Sequence, residues 1–167
     1  MIEPINNQPM HNSAKQNEIR GRKAFSELLY NYSPEVKVNF TEDRWCNYDA
    51  YWTALNDNGV KKHYIVEIKI RNKNYDSYIL EHKKVVGMRK EATKDLGVKL
   101  EDCVFLYVNF TPHWTYMWNI TNVERTCDST ISRINKCTSK SRSNKVEKDV
   151  YFLPVTRAKE YNYRIKN

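Results

Sequence analysis

The stretch YDAYWTALNDNGVKKHYIVEIKIR, residues 48–71, decides the fold. Residues 48–55 and 60–70 are rich in aromatic and β-branched residues, and Asn56-Asp57-Asn58-Gly59 separates them, which predicts a hairpin. A three-residue loop Asp57-Asn58-Gly59, with Gly59 left-handed, pairs Asn56 with Val60. That register sets Asp49 opposite Glu67, where Cβ atoms lie about 5 Å apart. Lys69, two residues along, points to the same face. Any other loop closure shifts the register by one and loses the match. Tyr64, Val66, Ile68 and Ile70 form the other, apolar face, which is expected to meet the core.

Two carboxylates directly opposite each other repel unless a cation lies between them. They are hard oxygen ligands of the kind magnesium prefers, and a lysine beside them can assist a water. The spacing alone favours a plainer amphipathic hairpin with a wet polar face, because Glu-x-Lys is a common tripeptide. That plainer hairpin leaves Asp49 and Glu67 repelling each other for no gain.

Outward from the hairpin, residues 15–32 read as a helix stopped by Ser33-Pro34. At about 100° per residue, Gly21, Phe25, Leu28, Leu29 and Tyr32 share a face, and Glu18 looks the same way. Residues 36–40 alternate like a short strand, and 72–77 read as a loop. Residues 78–93 read as a second helix ending near Gly97, with Glu81 on a stripe with Tyr78, Val85, Met88 and Ala92. Residues 103–110 are an apolar run expected to be a central strand, and 114–120 a further strand. The polar segment 125–148 carries Lys136, Lys140, Arg142, Lys145 and Lys148, and reads as a solvated loop or extended hairpin. Residues 150–154 suggest a last strand and 158–163 a turn or helix. This order describes an α/β or α+β domain with a mixed central sheet flanked by helices.

The whole chain has 167 residues and a mass of 20.0 kDa. That suits one domain, expected over residues 15–167 behind a flexible tail at 1–14. No apolar run approaches the ~20 residues of a membrane helix, so no membrane association is expected. The first residues lack the apolar centre of a signal peptide, so a cytoplasmic location is expected, the host cytoplasm if the gene is phage-borne. The four cysteines have no Cys-x-x-Cys pair, which argues against structural zinc and for free thiols. A net charge of +8 favours polyanionic partners such as DNA.

Asp49, followed by Glu67-Ile68-Lys69 at the end of an apolar strand, resembles the signature of the PD-(D/E)XK nuclease superfamily. The order of elements around it matches over about residues 15–110, and the stretch looks most like small phage and bacterial members. Tyr48 stands where the pattern has proline, and residues beyond 110 match no motif. The resemblance implies a restriction-endonuclease-like core and Mg²⁺- or Mn²⁺-dependent hydrolysis of DNA, without a small-molecule cofactor. Asp49, Glu67 and the backbone carbonyl of Ile68 would hold the metal, and Lys69 would orient or deprotonate the attacking water. Glu18 would match the acid of the first helix, and Glu81 would lie near the site. Lys84 and Arg71 would contact phosphate, and Lys140, Arg142, Lys145 and Lys148 would form a phosphate clamp. A phage recombination or junction-resolving nuclease is one such role, and a resolving enzyme is expected to be a homodimer. The alternative is a catalytically inactive nucleic-acid-binding or host-interaction protein on the same fold; the intact Asp49, Glu67 and Lys69 argue against it.

Overall fold

The structure is a computed structural model that describes residues 14–42, 46–135 and 145–165. It is a mixed α+β fold built on two sheets. The main sheet has six strands: β1 (Asn39–Phe40), β2 (Ala50–Leu55), β3 (Lys61–Ile70), β5 (Cys103–Phe110), β6 (Thr115–Asn119) and β9 (Lys159–Tyr161), neighbours in that order. The small sheet runs β4 (Ser77–Glu81), β8 (Lys145–Pro154), β7 (Ser129–Asn135). The helices are α1 (Ala14–Tyr32), α2 (His82–Leu96) and the short α3 (Val123–Thr126). β3 and β5 are parallel and all other neighbours antiparallel, so the central sheet is mixed. The parallel pair follows from the crossover through β4 and α2, which returns the chain to the start of the sheet.

The hairpin closes as its loop chemistry requires. Gly59 has φ of +72°, a conformation that side-chain-bearing residues rarely adopt. The Asn56 amide N–H donates to the Val60 carbonyl at 2.9 Å, and the Asn56 side-chain oxygen accepts from the Asn58 and Val60 amides. Ala50 therefore pairs with Val66 and Leu55 with Lys61, the register that puts Asp49 beside Glu67.

β3 lies between β2 and β5, and both of its faces are covered. On one face Val66 and Ile68, with Leu106, Val108 and Phe110 of β5, pack under Ala24, Phe25 and Leu28 of α1. On the other, Ile65, Phe105 and Tyr107 pack under Val85, Met88 and Ala92 of α2 and Tyr78, Leu80, Tyr151 and Leu153 of the small sheet. The face bearing Glu67 and Lys69 is therefore not a wet surface, as the amphipathic pattern suggests, but the inner face of a second layer.

Three other expectations are corrected. Residues 77–81 are a strand, and the second helix starts at His82. Tyr78 and Leu80 are buried while Ser77 and Ile79 are less so, a period of two that fits a strand pairing with β8. Residues 159–161 form a strand against β6 in place of a turn or helix. Within the segment expected to be strand at 36–40, the strand is confined to Asn39–Phe40. The described ends of the basic segment form the antiparallel ribbon β7–β8, the extended-hairpin alternative. Of the expected tail at residues 1–14, Ala14 opens α1 and the rest lies outside the described residues. Among the described residues no helix is long and apolar enough to cross a membrane.

Candidate active site

Asp49 sits just before β2, where the ladder to β3 stops. Its amide N–H donates to the Val66 carbonyl at 2.8 Å, and its Oδ2 accepts from the Ile68 amide at 2.6 Å. The carboxylate thus takes over the hydrogen bond that another β2 residue would have made to the central strand. Glu67 is 1% exposed and flanked by two ammonium groups, Lys69 on Oε1 and Lys84 on Oε2, the latter at 3.0 Å. Apart from these two ammonium groups, neither Glu67 oxygen has a hydrogen-bond partner among the described residues. A buried carboxylate in that condition is costly.

The electrostatics follow from this crowding. Burial, and then the neighbouring Glu67 charge, push the Asp49 carboxyl up to about 7, against the pull of Lys69 and the Ile68 amide. For Lys69, burial works to lower the pKa. The Glu67 carboxylate, with Tyr107 and Asp49 adding, outweighs it and holds the ammonium above its ordinary value. Lys69 is therefore a fixed cation at neutral pH.

Glu67, Lys69 and Lys84 open onto a cleft of about 360 Å³, which Arg71, Tyr107, Glu81, Ile79, Leu80 and Ile134 also line. Asp49 is not on the wall of that cleft; it lies alongside, tied to the β3 backbone. Asp49, Glu67 and Lys69 are thus brought together, with Lys84 added to them.

The other expected residues divide. Glu18 pairs with Arg22 at 2.7 Å on α1, the helix that covers the opposite face of β3 from Glu67. Glu81 lines the cleft but pairs with Lys148 at 2.8 Å. Arg71 lines the cleft floor beside Lys69. Lys148 reaches the cleft through Glu81, whereas Lys145, at an odd distance along β8, alternates to the other face of the ribbon and is exposed. Lys140 and Arg142 lie outside the described residues, so of the expected clamp Lys148 is the member placed at the cleft.

Sequence reasoning missed Tyr107 and Asn109, which β5 places directly beside Glu67 and Lys69 on β3. The available signal was an asparagine inside an otherwise apolar run. It also missed what ties the turn before Asp49 to α2. The Asn47 backbone N–H donates to Glu91 Oε2 on α2 at 2.6 Å, and the Asn47 side-chain amide donates to Glu91 Oε1. These bonds outweigh burial and lower the Glu91 pKa. The clamp needs α2 to come close: a Cβ added at Gly87 would lie 2.5 Å from Asn47 Cγ. Gly87→Ala is expected to push this turn off the helix and cost about 1–3 kcal/mol, read by urea unfolding. A loss under about 0.5 kcal/mol would show that the clamp does not hold the turn.

Among the described residues no group of three or more His, Cys, Asp and Glu side chains is placed to hold a metal. The donor set is instead two carboxylates, Asp49 and Glu67, on either side of the Ile68 amide that Asp49 accepts from. Hard oxygen donors of this kind suit Mg²⁺ or Mn²⁺, and the buried Glu67 oxygens, which already face two ammonium groups, suit a cation. Comparison with family models, with curated proteins and with solved structures finds no match for this chain.

Proposed function

We propose that this chain is a metal-dependent nuclease of the PD-(D/E)XK type, with a restriction-endonuclease-like core, hydrolysing DNA phosphodiester bonds. The observation that carries the reading is the buried pair itself. Glu67 is 1% exposed, with the Lys69 and Lys84 ammonium groups as its only polar partners among the described residues, and Asp49 beside it is pushed up to about 7. Burying two repelling carboxylates destabilises a fold, and such frustration concentrates where a site needs it.

Asp49, Glu67 and the Ile68 carbonyl would hold Mg²⁺. When bound, Mg²⁺ supplies Lewis acidity and a more acidic water. Lys69, charged at neutral pH, is a poor base but a good donor to a phosphate oxygen on which charge builds. Lys84 balances Glu67 and keeps the pocket cationic, as a polyanionic substrate requires.

The test is cleavage of linear, nicked and four-way-junction DNA with Mg²⁺ or Mn²⁺, and its loss in EDTA. Mg²⁺ at about a hundred times its Kd should stabilise the fold by ~2.7 kcal/mol, a rise in Tm of roughly 5–10 °C. Lys69→Ala should keep that shift but slow cleavage by about 10²–10³-fold, the loss expected for one electrostatic donor.

A second reading has its own observation. Lys69 and Lys84 already neutralise Glu67, so the cluster is closed on itself without a metal. A salt-dependent DNA shift with no cleavage and no Mg²⁺ effect on Tm would establish that reading, an inactive nucleic-acid-binding protein, in place of the nuclease.

A further inference from the structure

Among the described residues, every cation on the cleft wall but one has a carboxylate partner. Lys69 and Lys84 pair with Glu67, and Lys148 at the rim with Glu81. Arg71 is the exception: no carboxylate among the described residues lies within ion-pair distance of it. Its guanidinium is instead held by two neutral groups. Nε donates to Asn109 Oδ1 at 2.8 Å, and Nη2 donates to the Tyr107 hydroxyl at 2.9 Å. The Tyr107 hydroxyl donates onward to the Ile79 carbonyl at 3.3 Å, which fixes its rotation.

This arrangement is hard to explain as a device for stability. Asn109 is 0% exposed, and its Nδ2 has no hydrogen-bond partner among the described residues. A buried orphan donor is destabilising, and an apolar residue would suit the β5 position better. What Asn109 and Tyr107 accomplish is to lock a full positive charge in one orientation while leaving it uncompensated. A guanidinium fixed in this way is preorganised for a tetrahedral oxyanion, since the ordering that binding requires has already taken place.

We infer that Arg71 is a fixed anion anchor on the cleft floor, taking a phosphate group of a nucleic-acid strand beside Lys69, with Tyr107 and Asn109 as its positioning residues. This deepens the nuclease reading by placing one substrate phosphate next to the reacting one, but binding at Arg71 does not itself need a metal.

The test is therefore run in EDTA. Binding of a fluorescently labelled single-stranded oligothymidylate is followed by anisotropy over a salt series, with inorganic phosphate as competitor. Arg71→Gln should weaken binding about ten- to hundredfold, the loss of a charge-assisted contact. It should also reduce the salt slope by about one. Tyr107→Phe and Asn109→Ala should weaken binding less and leave the slope unchanged, because the charge remains and only its aim is lost. Arg71→Lys, which keeps the charge without the fork, should fall between and guards against a folding defect in the Gln variant. Competition by millimolar inorganic phosphate identifies phosphate as sufficient; its absence assigns the contact to phosphates within a strand. Folded Arg71 variants that bind with the wild-type affinity and slope, or a wild type that binds neither probe, would overturn the anchor. A wild type that binds through Arg71 but cleaves nothing with Mg²⁺ would instead overturn the nuclease reading and leave the anchor standing.

Discussion

Asp49→Asn is expected to abolish Mg²⁺-dependent cleavage and, in EDTA at pH 8, to make the protein more stable. The loss follows from removing one of two anionic donors. The gain follows from the carboxyl's position. In the unfolded chain Asp49 ionises near the ordinary carboxyl value of 3.8, and in the fold only near 7. Between these values the folded protein binds more protons than the unfolded one, so stability falls as pH rises through the window and levels off above it. At about 1.4 kcal/mol per pH unit, the ionised form costs up to ~4 kcal/mol at pH 8. Asparagine avoids that cost and can still accept from the Ile68 amide. The variant should therefore melt roughly 10 °C higher at pH 8, with the advantage shrinking toward pH 4. DNA binding should survive, since the basic surface is untouched. A variant that melts below wild type at pH 8 in EDTA, or that cleaves at the wild-type rate, would remove Asp49 from the site.

The hairpin was legible because its local rules agree. Gly59 needs a left-handed conformation, Asn56 closes the loop with its own side chain, and the apolar alternation of β3 admits one register. Local agreement of that kind sets Asp49 beside Glu67 and Lys69, although Asp49 lies alongside the cleft that the other two line. The burial of Glu67 was not legible. A residue flanked by Val66 and Ile68 reads as the polar side of an amphipathic strand, yet the covering layer comes from β4, α2 and, far along the chain, β8. Residues 77–81 were misread for a related reason. Tyr78, Glu81 and Val85 fit a helical stripe, but Tyr78 and Leu80 also fit a strand, and the partner that decides is β8 at 150–154. The helical wheel gives Glu18 an inward bearing, but its side chain is 38% exposed beside Arg22, and a wheel cannot say which face of the sheet the helix covers. The Asn47–Glu91 clamp and the Arg71 network join residues more than thirty positions apart, and no local spacing encodes them.

Glu67→Gln tests the same cluster from its centre. Glutamine keeps the shape and removes the charge that Lys69 and Lys84 face. Removing one partner of a fully buried ion pair costs about 3–5 kcal/mol. Here Lys69 and Lys84 keep side-chain exposures of 38% and 26%, so both can turn partly to water, and about 1–3 kcal/mol is expected in EDTA. Cleavage and the Mg²⁺-dependent rise in Tm should both disappear. Glu67→Gln with Lys84→Met should recover most of the lost stability, because the stranded cation is replaced by an apolar chain of similar length, while activity stays absent. The two carboxylates should also be coupled. Glu67 is part of what holds the Asp49 carboxyl up, so Asp49→Asn should stabilise the Glu67→Gln protein less than it stabilises wild type, by about 1 kcal/mol in a double-mutant cycle. Additive effects would mean that burial alone raises Asp49 and that the two carboxylates do not share a cation site.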